Sequence, residues 1–293
     1  MNICCAGEVM VEMAAVGQDG PYQRGIAGDS YNTAIYLARA GHAVSYLTRL
    51  GTDAQSDAIV QAMASEGLDT QHVAQIAGRQ PGLYLIDNDA DGERHFSYWR
   101  NDAPVRQLFD DPMALENLSA FFFTGITLAV TRSGADNLLA LLAQLKAQGT
   151  RVVFDPNYRA HLWDSPAQAQ ALTARVLPLV DTALPTLEDE TALWGIKDVD
   201  ACAGHFIEHG VAEVVVKGPA LTSYVYAGPV LRAQRQAEPV KALDTTGAGD
   251  AFNAGYLAQR LRGASAAEAL ESAQQLAARV VQHRGAILPK DEV

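Results

Sequence analysis

The chain has 293 residues, 48% of them hydrophobic and 19% charged, with 22 Lys and Arg against 34 Asp and Glu for a net charge of −12. That length accommodates one large α/β body or two small ones. The acidic balance argues against a nucleic-acid partner and against an anionic membrane surface, because phosphate contacts need clustered cations. No apolar run reaches the roughly 18–20 residues of a membrane span, and residues 1–3 carry no basic leader. Cys4, Cys5 and Cys202 lack metal or redox spacing and read as buried, reduced side chains, so a cytoplasmic location is expected.

In chain order, short apolar runs at residues 3–7, 44–47, 120–124, 151–155 and 214–217 read as strands. Several lack polar alternation, as strands covered on both faces do. Helix-period segments fall at 30–40, 53–66, 133–148, 165–180, 199–209, 249–262 and 265–284. Such alternation predicts a mostly parallel sheet with helices on both faces. Two stretches break it: residues 10–25 have strand character without a helix, and 82–87 and 94–100 flank the turn signal Asn88-Asp89-Ala90-Asp91-Gly92. Together, 10–25 and 82–100 predict a small antiparallel sheet inserted as a lid over a single 1–293 body. Its open edges suggest a homo-oligomer.

Residues 244–258, DTTGAGDAFNAGYLA, carry the chemistry. Small residues lie immediately before an amphipathic helix, and the amides of Gly247, Ala248 and Gly249 at its N-terminus make an anion site. A carboxylate beside that site, Asp250, is costly unless it acts on something held next to the anion. The simplest such act is accepting a proton from a hydroxyl that attacks a phosphate. A phosphate loop ending in Gly-Lys-Ser/Thr and the dinucleotide GxGxxG are both absent. His205 and His209 have metal-ligand spacing but no evident third ligand, and Trp99, Trp163 and Trp194 read as packing residues.

The 244–257 run resembles the C-terminal signature of the ribokinase-like (PfkB) carbohydrate kinases. Residues 27–34, AGDSYNTA, followed by Gly41 and Gly51, resemble their first signature, with Ser30 where a small glycine-like residue is usual. The resemblance covers essentially the whole chain and implies the ribokinase-like α/β fold with its β lid. It also implies transfer of the ATP γ-phosphoryl group, with magnesium bridging the phosphates and potassium near Asp244. Further stretches resemble the branch of the family acting on the sugar acid 2-keto-3-deoxygluconate at O6: GEVMVE at 7–12, PGLY at 81–84, GER at 92–94 leading to YWRN at 98–101, DPNYR at 155–159 and ALWG at 192–195.

On that resemblance Asp250 is the base and Gly247, Ala248 and Gly249 are the charge-stabilising turn. Gly28, Asp29, Asn32, Tyr84, Tyr98, Arg100 and Arg159 fall to the acceptor. Arg100 and Arg159, in loops where open α/β sheets bind ligands, suit a carboxylate by their planar forks. Gly28 would allow the backbone to approach the acceptor closely. Asn157, Thr186, Lys217, Gly218, Gly247, Gly249 and Gln274 fall to the nucleotide, and Asp189 to magnesium through water. The chain departs from the family at Thr186-Leu187-Glu188-Asp189, where Asn-x-x-Glu is usual, and at Leu221, where a second glycine would fall. Alternatives are a kinase of a neutral sugar such as fructose or ribose, or an inactive sugar-acid-binding relative.

Overall fold

The computed structural model describes residues 1–16, 20–88 and 94–290. In chain order the elements are β1 (Asn2–Ala6), β2 (Met10–Ala15), β3 (Tyr22–Ala27), α1 (Asp29–Arg39), β4 (Ala43–Gly51), α2 (Ala54–Ser65), β5 (Val73–Ile76), β6 (Gly82–Asn88) and β7 (Arg94–Trp99). There follow β8 (Ala120–Thr124), α3 (Gly125–Val130), α4 (Ala135–Ala147), β9 (Arg151–Asp155), α5 (Pro166–Val176), β10 (Thr182–Ala183), α6 (Leu187–Trp194) and α7 (Val199–Glu208). The last are β11 (Glu213–Lys217), β12 (Thr222–Ala227), β13 (Val230–Gln236), α8 (Ala248–Leu261) and α9 (Ala266–Val280).

Nine strands form one sheet in the order β13-β12-β11-β10-β9-β8-β1-β4-β5. The pairings from β11 to β5 are parallel, and β12 and β13 close one edge antiparallel. Both faces are apolar because successive residues alternate between two cores. Cys4, Phe121, Phe123, Phe154 and Val216 face α3 to α7. Ile3, Cys5, Phe122, Val153 and Val215 face α1, α2, α8 and α9. This is the residue-level reason the strands lack polar alternation. Cys4, Cys5 and Cys202 are buried and free, as their spacing predicts.

Local chemistry sets most boundaries. Asp53 caps α2 by accepting from the amides of Gln55 and Ser56, and Ser265 with Glu268 forms a capping box on α9. The helix expected over 165–180 ends at Val176, and Leu177–Leu179 tightens to a 3₁₀ turn around Pro178, because proline cannot continue the ladder. Elements β5, β10, β12, β13, α3 and α6 go beyond those the sequence pattern predicts; β10 is two residues long and α3 six.

The stretches expected as a lid form a separate four-stranded sheet, β3-β2-β6-β7. Its two halves, β2–β3 and β6–β7, are each antiparallel. They are joined by a parallel pairing of β2 with β6, from Met10↔Gly82 to Ala14↔Ile86. The turn expected at 88–92 lies largely outside the described residues. Met10, Ala27, Tyr84 and Ile86 form the lid's own small core. Trp99 does not pack: it is 59% exposed on the lid.

Candidate active site at the start of the α8 helix

Gly247 caps α8 in the left-handed region, φ 76°. A Cβ there would lie 2.6 Å from that of Ala286, so both backbone conformation and space call for glycine. Of the three turn amides, that of Ala248 donates to the Thr245 carbonyl at 3.2 Å. Asp244 holds the approach to the turn: one carboxylate oxygen accepts from the Thr246 amide at 2.9 Å and the other from the Gly285 amide at 2.7 Å.

Asp250, on the first turn of α8, accepts from Asn32 Nδ2 at 2.8 Å, and Thr33 Oγ1 donates to its carbonyl at 3.2 Å. These bonds fix α8 against α1. Burial, then the adjacent Asp29 carboxylate, push the Asp250 carboxyl well above the usual carboxylate range; Asn32 opposes the rise, Asp155 adds to it and Lys217 opposes it. Asp29 is raised as well, chiefly by burial, against hydrogen bonds from Thr124, the Ser30 amide and Asn157.

Beneath the turn, Asp155, Asn253 and Lys217 form a closed network. Asn253 Nδ2 donates to Asp155 Oδ2 at 2.6 Å, and Lys217 Nζ donates to Asp155 Oδ2 at 3.3 Å and to Asn253 Oδ1 at 3.2 Å. The Lys217 ammonium lies 4.0 Å from where a Gly249 side chain would begin, so its charge sits directly under the amides. Sequence reasoning gives Asp155 and Asn253 no role of their own. Asp155 ends β9, and Asn253 is one helical turn beyond Asp250; that spacing is the available signal.

On one side of the turn is a cleft of about 300 Å³ with a mostly apolar wall that includes Val240, Phe252, Ala277 and Val281. It brings together Thr186, Lys217, Gly218, Ala248, Gly249 and Gln274. Gln274 Nε2 donates to Arg235 O at 2.8 Å, while its Oε1 is buried without a partner. The loop closing this cleft puts Ala220 and Leu221 at φ 51° and 57°. Leucine thus occupies a conformation that favours glycine, where the family's second glycine falls.

On the other side a cavity of about 80 Å³ is lined by Gly28, Asp29, Tyr98, Arg100 and Arg159, as expected, together with Glu8 and His161. Arg100 is buried and forms an ion pair with buried Glu8. Its Nε and Glu8 Oε1 lack partners. Burial raises the Glu8 carboxyl to about 6, outweighing the Arg100 charge that lowers it. Arg159 pairs with Asp189 at 3.1 Å, and the His161 ring stacks on Tyr98 with centroids 5.6 Å apart.

Two residues take places other than those expected. Tyr84 lies behind the cavity wall: its hydroxyl donates to Glu12 and its ring lies against Tyr98. Asn157, expected at the nucleotide, donates instead to Asp29 Oδ2 at 3.0 Å, from a turn with φ 35°. Gly28 lines the cavity and is also required by its own neighbour, since a Cβ would meet Glu8 O at 2.2 Å.

Asp189 and Glu190 lie at the start of α6. Among the described residues, no group of three or more His, Cys, Asp or Glu could hold a metal ion directly. Burial, then Asp189 and Asp155, raise Glu190 to about 8, and both of its oxygens are buried without partners. Asp155, Asp189 and Glu190 therefore outnumber the Lys217 and Arg159 charges here. Such an excess fits a divalent cation brought in on phosphates and met through water.

A helix start with a raised buried carboxylate, set between an apolar cleft and a polar cavity, is the arrangement a phosphotransferase acting on a hydroxyl needs. The chain belongs to the pfkB family of carbohydrate kinases, whose pattern matches residues 2–292. It is 39% identical to the 2-dehydro-3-deoxygluconokinase of Escherichia coli K12 over 99% of this chain and 98% of that protein. It is 35% identical to that of Haemophilus influenzae over 99% and 96%. It also superposes on a Vibrio cholerae fructokinase double mutant solved with fructose, ADP and potassium, with a TM-score of 0.87 and 25% identity over 99% of this chain and 94% of that one.

Proposed function

We propose that this kinase transfers the ATP γ-phosphoryl group to O6 of 2-keto-3-deoxygluconate, giving 2-keto-3-deoxy-6-phosphogluconate and ADP. The observation that carries the choice of an acid is the convergence of Arg100 and Arg159 on the cavity beside Asp29. Two guanidinium groups in a chain of net charge −12 suit a carboxylate better than a neutral sugar. The relatives' names support the same substrate. Because Arg100 is already paired with Glu8, the acid would meet Arg159 and the unpartnered Nε edge of Arg100.

In the reaction, Asp250 accepts the acceptor's hydroxyl proton. Its raised proton affinity makes it a better base than an ordinary aspartate, and Asn32 sets its orientation. The amides at the start of α8 and the ammonium of Lys217 stabilise charge gathering on the transferring group. Because the transition state is loose, positioning the hydroxyl is much of Asp250's task. Phe252, Val240 and the Gln274 acceptor suit the adenine end of the nucleotide. Asp189 would hold magnesium through water, the ion supplying neutralisation of phosphate charge. A potassium ion belongs near Asp244.

No helix among the described residues is long and apolar enough to cross a membrane, and we place the enzyme in the cytoplasm. Phe96 and Trp99, 44% and 59% exposed on the lid, support a homo-oligomer joined there. A coupled ATP-consumption assay tests the substrate, comparing 2-keto-3-deoxygluconate with its C4 epimer, fructose and ribose. The keto acid should give the highest kcat/KM; a higher value on fructose or ribose overturns the assignment.

A further inference from the structure

A cavity of about 680 Å³ lies outside the site above. Its wall carries Arg79, Arg106, Arg132 and Arg175, with Asp110 as the acidic residue among them. Four guanidinium groups on one concave surface stand out in a chain that is acidic by 12 charges, and like charges repel unless an anion joins them. Local acids answer them only in part. The Arg106 guanidinium has no hydrogen-bond or ion-pair partner among the described residues. Arg79 donates twice to a backbone carbonyl, that of Asp102, at 3.0 and 2.7 Å, and meets no carboxylate among the described residues. Arg132 meets Asp164 at 3.4 Å, and Arg175 meets the largely exposed Asp136 at 2.5 Å.

We propose that this groove binds a small polyanion bearing phosphate. The volume lies in the range of small-molecule sites, and planar guanidinium forks converging from separate segments match phosphate oxygens. The segments also give the site a consequence. Arg79 lies on the connection into β6, Asn101 follows β7, and Arg106 belongs to the 3₁₀ turn Pro104–Gln107, whereas Arg132 follows α3 and Arg175 is on α5. An anion there ties both attachments of the β6–β7 hairpin to the body. Arg100, on the acceptor cavity, directly precedes Asn101, so occupancy of the groove is relayed to the acceptor side. The bound molecule could come from the nucleotide pool or from phosphorylated sugar acids; both present the same phosphate.

Calorimetric titration of pyrophosphate tests this, using the full chain with its nucleotide cleft saturated by magnesium and a non-hydrolysable ATP analogue. The blocked protein should still bind about one equivalent, and Arg106→Gln with Arg175→Gln should weaken that binding at least about tenfold. Turnover without probe should stay within about twofold of wild type. Arg106→Lys should restore part of the affinity, because charge returns without the fork. Parallel titrations with ADP and 6-phosphogluconate identify the source by which binds tighter. No saturable binding to the blocked wild type, or equal binding by the folded double variant, overturns the proposal. The blocked complex needs no sugar acid, so this test stands apart from the substrate assignment.

Discussion

Replacing Asp250 by Asn separates the two consequences of burying a carboxylate at the start of α8. The amide keeps the shape and can still accept from Asn32, whose Nδ2 lies 2.8 Å from the native carboxylate. It removes the charge that burial, Asp29 and Asp155 all disfavour. Loss of the base should lower kcat about 10²–10⁴-fold, or about 3–5 kcal/mol at 1.36 kcal/mol per decade, with ATP binding retained. Stability should move the other way. Removing an incompletely compensated buried charge gains about 1–3 kcal/mol, and at about 2–4 °C per kcal/mol the Tm should rise by several degrees.

The pH dependence follows from the raised pKa. A carboxyl held above its unfolded value stabilises the fold while protonated and loses that contribution as pH rises through the folded-state value. The Asn variant should therefore be more stable at neutral pH, with the difference closing towards about pH 4 and below, where the native side chain is protonated in both states. Scanning calorimetry at several pH values, beside steady-state kinetics, reads both effects. Near-wild-type turnover refutes the role of Asp250 as base. A Tm that falls at neutral pH refutes the electrostatic account.

Arg100→Ala and Arg159→Ala should each raise KM for the keto acid about 10–150-fold while changing it little for a neutral sugar; equal losses on both would indicate a damaged lid. Glu8→Gln mimics the protonated carboxyl. Because burial raises Glu8 to about 6, the native carboxyl's contribution fades as pH rises through that value, so the variant should lie close to wild type at pH 5 and be the more stable by about 1–3 kcal/mol at pH 8 in urea unfolding. Leu221→Gly relieves a left-handed leucine that is 56% exposed and should raise Tm by about 2 °C for about 1 kcal/mol. Exchanging potassium for choline should lower kcat several-fold in the wild type, and Asp244→Asn should abolish that response.

The glycine turn and the acid that follows it were legible because they are local: turn, acid and helix are contiguous. The lid's hairpins were legible from alternation and a turn signal. The β2–β6 pairing was not, since Met10 meets Gly82 far along the chain, and periodicity carries no register between distant strands. The Asp155–Asn253–Lys217 network was hidden for the same reason: its members come from β9, α8 and β11. Arg100 shows a different limit. Its position was readable, but its partner was not, because nothing in the local sequence says that Glu8 is buried against it.

The two halves of the active site are anchored very differently. Helix α8 runs from the phosphate turn into the larger packing, with Tyr256 and Leu257 buried and Gly255 so close to α9 that a Cβ would lie 2.8 Å from Ala273 Cα. Among the described residues the lid has a small core of its own, Met10, Ala27, Tyr84 and Ile86, and only part of it, Val11 with Met13, Ile26 and Leu83, joins the larger packing. On the proposed assignment, the helix that carries the phosphate turn is locked into the larger packing, while the lid's exposed side chains, Phe96 and Trp99 among them, lie outside it. If that assignment holds, substitutions confined to the lid's exposed face would change the choice of acceptor and leave the phosphate turn as it stands.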